Sequence, residues 1–215
     1  MKQKAHPNKT PSKRQLLIAY RIFFGVLGLL AVTAQLSVHV TNSFSVVNFF
    51  SYFTNLSNIF AAGVLLSGAY FLAKHRTPKL SDDLARGAAV VAIVLVGIVY
   101  GLLLSNEDVG TLLPWVNVVV HYIMPVAVLI DWLYQPPRTH LVATQATVWL
   151  VFPGTYLIYV CLRGAATGWY PYPFLNPDKV GGLGGVAAHA IGIMALFFLV
   201  SWVLLKLGTS LKRHI

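Results

Sequence analysis

Long apolar runs alternate with short polar breaks along the whole chain. Six runs are long enough to be helices of about 20 residues crossing roughly 30 Å of hydrocarbon. They lie near 15–38, 49–73, 86–105, 115–134, 141–161 and 185–207. The breaks carry turn chemistry: Asn42 and Ser43, "SNEDVGTLLP" (105–114), and "QPPRT" (135–139), whose prolines stop one helix and set up the next. One connection, 162–184, is long, and a loop of that length in a bundle is expected to fold over something. The pattern predicts an all-α, polytopic bundle of six transmembrane helices in a single domain over 1–215.

Composition agrees. The chain is 57% hydrophobic and 10% charged, with mean hydropathy +0.70, against about 25% charged residues in a soluble domain. Its net charge of +10 does not point to nucleic acid, because the basic residues sit in short segments between apolar runs. With both termini on the cytoplasmic side, Arg163 and Lys179 are the two of 16 Lys and Arg that fall outside. The inner set is Lys2, Lys4, Lys9, Lys13, Arg14, Arg21, Lys74, Arg76, Lys79, Arg86, Arg138, Lys206, Lys212 and Arg213. The first run has the flanks of a signal peptide, but its length and its interruption by Arg21 favour a retained span. The single cysteine, Cys161, excludes an internal disulfide and a CxxC metal site.

"NFFSYFTNLSNIFAAG" (48–63) is the exception to this plain reading, since Ser51, Thr54, Asn55, Ser57 and Asn58 crowd the start of a span. Counting inward from Asn48, Thr54 lies roughly 9 Å deep at about 1.5 Å per residue. His121, in the fourth span, lies equally deep; His189 in the sixth is slightly shallower, and His39 ends the first span on the same side. Ser51, Thr54 and Asn58 share one helix face by their spacing, as do Asn117 and His121. Facing one another, these stripes would surround a small cavity with a hydroxyl, an imidazole and several amides, which are the parts acyl transfer needs.

Every one of these residues also has an ordinary use. A membrane Thr often bonds the carbonyl one turn back, and buried Asn can join helices at about 0.6 kcal/mol a pair. An intramembrane His is harder to dismiss, since ionisable groups there are costly. Asp131 lies about 15 Å along the helix from His121, so it cannot orient that ring; with Trp132 and Tyr134 it reads as an inner-interface marker. Gly97 and Gly101 form a GxxxG suited to close packing, and "GGLGG" (181–185) reads as a flexible loop end. The aromatics of "GWYPYPF" (168–174) suit an outer belt, and Arg163 is placed to meet an acidic group.

"SYFTNLSN" (51–58), "WVNVVVHYIMPVAVLID" (115–131) and "TGWYPYPFL" (167–175), in that order on a six-span chain, resemble the androgen-induced-gene family of multipass membrane proteins over about residues 48 to 178. The resemblance implies a threonine hydrolase of fatty acid esters of hydroxy fatty acids, and a bacterial relative in a cell membrane. It puts the nucleophile at Thr54 and the histidine at His121. The chain departs from the family in its dense amides around Thr54 and in having Asp131 where animal members carry Glu. On this basis Ser51, Asn55 and Asn58 are candidate oxyanion donors, and Asn117 a candidate to orient His121. Arg163 and Tyr172, taken as covering-loop residues, and His189 are candidate substrate-binding groups. Acyl chains would enter sideways from the bilayer into a pocket apolar below Thr54 and polar above it, and no metal or organic cofactor is required. The same polar layer also fits axial histidines of a haem or metal, or a lipid-binding or transport module without turnover.

Overall fold

Local chemistry at each end of the apolar runs decides where the helices begin and stop. A computed structural model describes residues 11–107, 113–139 and 141–212, without the side chains of Thr209 and Lys212. Lys2, Lys4, Lys9, Arg213 and the middle of the 105–114 turn lie outside the described residues. Helix α1 (Lys13–Thr41) opens on a reciprocal cap in which Ser12 Oγ accepts from the Gln15 N–H and Gln15 Oε1 from the Ser12 N–H. A short α2 (Val46–Phe50) follows, capped by Ser45, and then α3 (Phe53–Ala73). The remaining helices are α4 (Leu80–Leu104), α5 (Pro114–Tyr134), α6 (Ala143–Thr167) and α7 (Leu183–Lys212). All but α2 are long and apolar enough to cross a membrane, and no strand occurs among the described residues. The chain is an all-helical integral membrane protein.

Three boundaries differ from those expected. The span near 49–73 is broken at Ser51 and Tyr52 into α2 and α3. The third helix starts at Leu80 because Asp82 accepts the Lys79 N–H at 2.7 Å and so caps a charged first turn. The fifth runs on to Thr167, where Gly168 takes φ +70° and donates its N–H to the Gly164 carbonyl. That places Arg163 on α6 and shortens the covering connection to 168–182.

Helix α4 is central: Ala89, Val90, Val91, Ile93 and Val96 are buried against neighbours that include α3, α5 and α7. Gly87 lets it approach α6, since a Cβ there would overlap the Trp149 indole. Phe23, Leu102, Ile191 and Phe198 are exposed on the outside, as suits a lipid-facing surface.

Two charges counted as topology signals are in fact interior. Arg21 and Asp131, 3% and 4% exposed, pair through Nε–Oδ1 at 2.5 Å and Nη2–Oδ2 at 3.0 Å. Arg86 adds a bond to Asp131 Oδ2 at 3.0 Å, and Gln135 Oε1 accepts from Arg21 at 2.8 Å. Asp131 is therefore no interface marker; it joins α1, α4 and α5 from inside. A second carboxylate, Asp83, is fully buried and accepts both the N–H and the hydroxyl of Thr139 at 2.8 Å, tying the 135–139 turn to α4. Removing one partner of a buried ion pair strands the other in an apolar medium, typically at about 3–5 kcal/mol. Asp131→Asn is expected to lower stability by about that amount in reversible unfolding from mixed micelles; a loss under about 1 kcal/mol would mean the network does not hold the bundle.

Candidate active site

Thr54 sits on the first turn of α3 because the chain breaks just before it. Tyr52 is extended (φ −82°, ψ 124°), and side chains take up backbone groups released by the break. The Tyr156 hydroxyl donates to the Ser51 carbonyl at 3.0 Å, and Asn55 Nδ2 donates to the Phe49 carbonyl at 2.8 Å. Ser51 Oγ donates to the Val47 carbonyl at 2.7 Å and lies 2.8 Å from the Tyr159 hydroxyl. The Thr54 N–H donates to the Tyr172 hydroxyl at 3.2 Å. Thr54 thus occupies a helix N-terminus, where unpaired N–H groups and the helix dipole favour negative charge.

His121 lies in a second irregularity. Pro125 has no N–H to give to the His121 carbonyl, and the helix widens into a π turn over Val119–Ile123, with the Met124 N–H bonded to the Val119 carbonyl. Gly97 of α4 backs this turn: a Cβ there would stand 3.2 Å from the His121 carbonyl oxygen and 3.1 Å from Pro125 Cβ. His121 Nδ1 is 3.2 Å from the Asn117 carbonyl, an acceptor only, so Nδ1 carries the proton and Nε2 keeps a free lone pair. Nε2 lies 3.4 Å from Thr54 Oγ1. The ring stacks on Tyr100 at 3.9 Å and 18°, and the Tyr100 hydroxyl accepts from Asn117 Nδ2 at 2.7 Å.

Thr54 and Tyr172 stand between two cavities. One, of about 100 Å³, is walled by apolar and aromatic groups, among them Val96, Tyr100, Leu104, Tyr156, Phe174 and Ile193. The other, of about 30 Å³, is lined by Gln35, His39, Asn55 and His121 as well as Thr54 and Tyr172. An open groove on the outside, with Leu102, Leu103, His189 and Gly192, adjoins the larger cavity, the two sharing Val99 and Ile193. Tyr172 belongs to the 168–182 connection, and burial pushes its hydroxyl up to about 12, keeping it protonated. It lies 3.4 Å from Thr54 Oγ1. Aromatics of the "GWYPYPF" segment therefore form a cover over the cavity, Phe174 stacking on Tyr172 at 5.2 Å.

The other sequence-derived candidates are placed differently. Ser51 and Asn58 spend their donors on backbone carbonyls, and Asn55 gives one N–H to the Phe49 carbonyl while lining the smaller cavity; Asn58 Nδ2 bonds the carbonyls of Thr54 at 2.8 Å and Val120 at 3.2 Å, locking α3 to α5 behind the pair. Asn117 meets His121 through its backbone carbonyl, and its side chain reaches the imidazole only by way of Tyr100. Arg163 lines neither cavity; it donates to Asn48 Oδ1 at 2.6 Å and lies 4.6 Å over Trp169. His189 faces the outer groove, bonded to the Gly185 carbonyl at 2.8 Å. Tyr100, Tyr156, Tyr159 and Gln35 were not anticipated. A lone Tyr at the end of the aliphatic run "GAAVVAIVLVGIVYGLLL" was the signal for Tyr100. Among the described residues, no group of three or more His, Cys, Asp or Glu is spaced to hold a metal ion.

The tautomer can be checked directly. In spectra of ¹⁵N-histidine-labelled protein, His121 is expected as the Nδ1–H form; an Nε2–H signal for His121 would mean the imidazole cannot accept a proton from Thr54.

A family model described as FAR-17a/AIG1-like protein matches residues 17–206. No curated protein and no solved structure matches the chain. With nearly its whole length covered, the site at Thr54 and His121 included, the chain belongs to the FAR-17a/AIG1-like family of membrane proteins.

Proposed function

We propose that this protein is an intramembrane threonine hydrolase that cleaves lipid esters, of which fatty acid esters of hydroxy fatty acids are the favoured class. The observation that carries this is the 3.4 Å approach of a lone-pair-bearing His121 Nε2 to Thr54 Oγ1 at the junction of an apolar and a polar cavity. His121 takes the Thr54 proton as the oxygen attacks the ester carbonyl. The tetrahedral intermediate collapses to an acyl-threonine, and His121 returns the proton to the departing alcohol. Water, reaching Thr54 from the side of Gln35, His39 and Asn55, then gives up a proton to His121 and attacks the acyl group, releasing the acid and restoring the threonine.

The carboxyl end of the acyl chain occupies the larger cavity and the rest of the chain extends past the Val99–Ile193 side toward lipid, a path the adjoining groove supports. Oxyanion stabilisation falls to the start of α3 and to Tyr172, whose hydroxyl accepts from the Thr54 N–H and so has its own proton to offer. Ser51, Asn55 and Asn58 act one step back, holding the broken backbone in place. The bias of Lys and Arg toward the opposite end of the bundle supports termini in the cytoplasm and a site in the outer half of the membrane.

Thr54→Ala and His121→Ala are expected to abolish turnover of a long-chain lipid ester by the purified protein in micelles, while Thr54→Ser retains it. Tyr172→Phe is expected to lower kcat by about 100- to 1000-fold with little change in KM. Undiminished turnover in Thr54→Ala would mean that Thr54 is not the nucleophile, and none in the parent would leave a lipid-binding protein in place of an enzyme.

A further inference from the structure

At the far end of the bundle from Thr54, a third enclosed space of about 70 Å³ opens between the last turns of α3 and the first of α4. Its wall collects three guanidiniums, Arg21, Arg76 and Arg86, and one carboxylate, Asp82. The hydrolysis proposed above uses none of them. Two of the three are explained by packing, since Arg21 and Arg86 pair with Asp131. Arg76 is different. Its Nη2 donates to Asp82 Oδ2 at 2.8 Å and its guanidinium lies 3.6 Å over Phe71, but its Nε is buried with no hydrogen-bond partner. A charged donor buried without an acceptor is a feature that calls for a ligand.

The surroundings say what kind. The cavity lies where α3 ends at Ala73 and α4 begins at Leu80, so on helices of membrane length it stands near the level of lipid headgroups. Beside the charged groups and the polar Ser67 and Gln135, the wall carries an apolar side of Val64, Phe71, Leu72 and Ala85, so a ligand with a charged group and some hydrocarbon suits it. Arg21 and Arg86 are held by Asp131 and Arg76 by Asp82, so the donor left to a ligand is the Arg76 guanidinium through its unpartnered Nε, and its planar fork suits an oxyanion such as phosphate. We propose that this cavity binds a phosphate group, carried by a phospholipid headgroup or free in solution. Basic pockets between membrane helices are suited to such headgroups.

The test uses the full-length protein in micelles, with dioleoylphosphatidylglycerol as probe, dioleoylglycerol as the same tails without phosphate, and inorganic phosphate as the free anion. Retained lipid is counted by native mass spectrometry, and unfolding temperature is followed with sodium phosphate against sodium chloride at equal ionic strength. Saturable retention of phosphatidylglycerol over dioleoylglycerol supports the lipid source; a phosphate-specific rise in unfolding temperature without that retention supports the free anion. Arg76→Gln is expected to weaken binding by about tenfold, the loss of one charge-assisted contact, and Asp82→Asn to strengthen it by removing the cavity's own carboxylate. Should Arg76→Gln fail to fold, Ala85→Leu fills the space without altering charge and is expected to cut binding. Equal retention of the two lipids together with no phosphate-specific shift overturns the proposal. So does binding that Arg76→Gln and Asp82→Asn, both folded, leave unchanged.

Discussion

A helix inside a bilayer can be interrupted only where other groups take up the backbone bonds it gives away. Both halves of the candidate dyad lie at such interruptions. The break at Ser51 and Tyr52 is held by Tyr156, Tyr159, Asn55 and Tyr172, and it turns Thr54 from a mid-helix residue into one at a helix start. The π turn at Val119–Ile123, forced by Pro125 and allowed by Gly97, sets His121 opposite it. Polar residues that looked excessive for a membrane span are therefore the cost of breaking the helix just before Thr54.

Charge is organised at the other end. Asp131 gathers Arg21 and Arg86, and Asp83 gathers the turn at Thr139, so α1, α4 and α5 are pinned by ionic contacts distant from Thr54. The site end relies on aromatic hydroxyls and amides instead. A base there must stay neutral to work, and a strong carboxylate beside His121 would favour its charged form. Holding the imidazole by a backbone carbonyl and a Tyr100 face orients the ring without that penalty.

The six spans were legible because each is an apolar run of membrane length, and the level shared by Thr54 and His121 followed from counting residues along parallel helices. The break before Phe53 was not legible: Phe49, Phe50, Tyr52 and Phe53 keep the segment apolar straight through it. Nor was the role of Tyr172, whose contact with Thr54 joins residues 118 apart through a connection that no periodicity describes. Ser51, Asn55 and Asn58 were recognisable as exceptional, but their bonds to backbone carbonyls were not, because spacing tells which face a donor occupies and not which carbonyl it finds. Arg21, Arg86 and Asp131 were read by their nearness to helix ends, where charges usually report topology; their burial depends on three helices meeting.

The claim that matters most is that Thr54 Oγ1 is the atom His121 activates. Reacting the purified protein with a fluorophosphonate bearing a long alkyl chain and mapping the adduct by peptide mass spectrometry tests it most directly. A single phosphonyl group on Thr54, absent from the His121→Ala protein, is the expected result. An adduct on Ser51, Ser57 or Tyr172 in its place, or labelling of Thr54 that does not depend on His121, would contradict it.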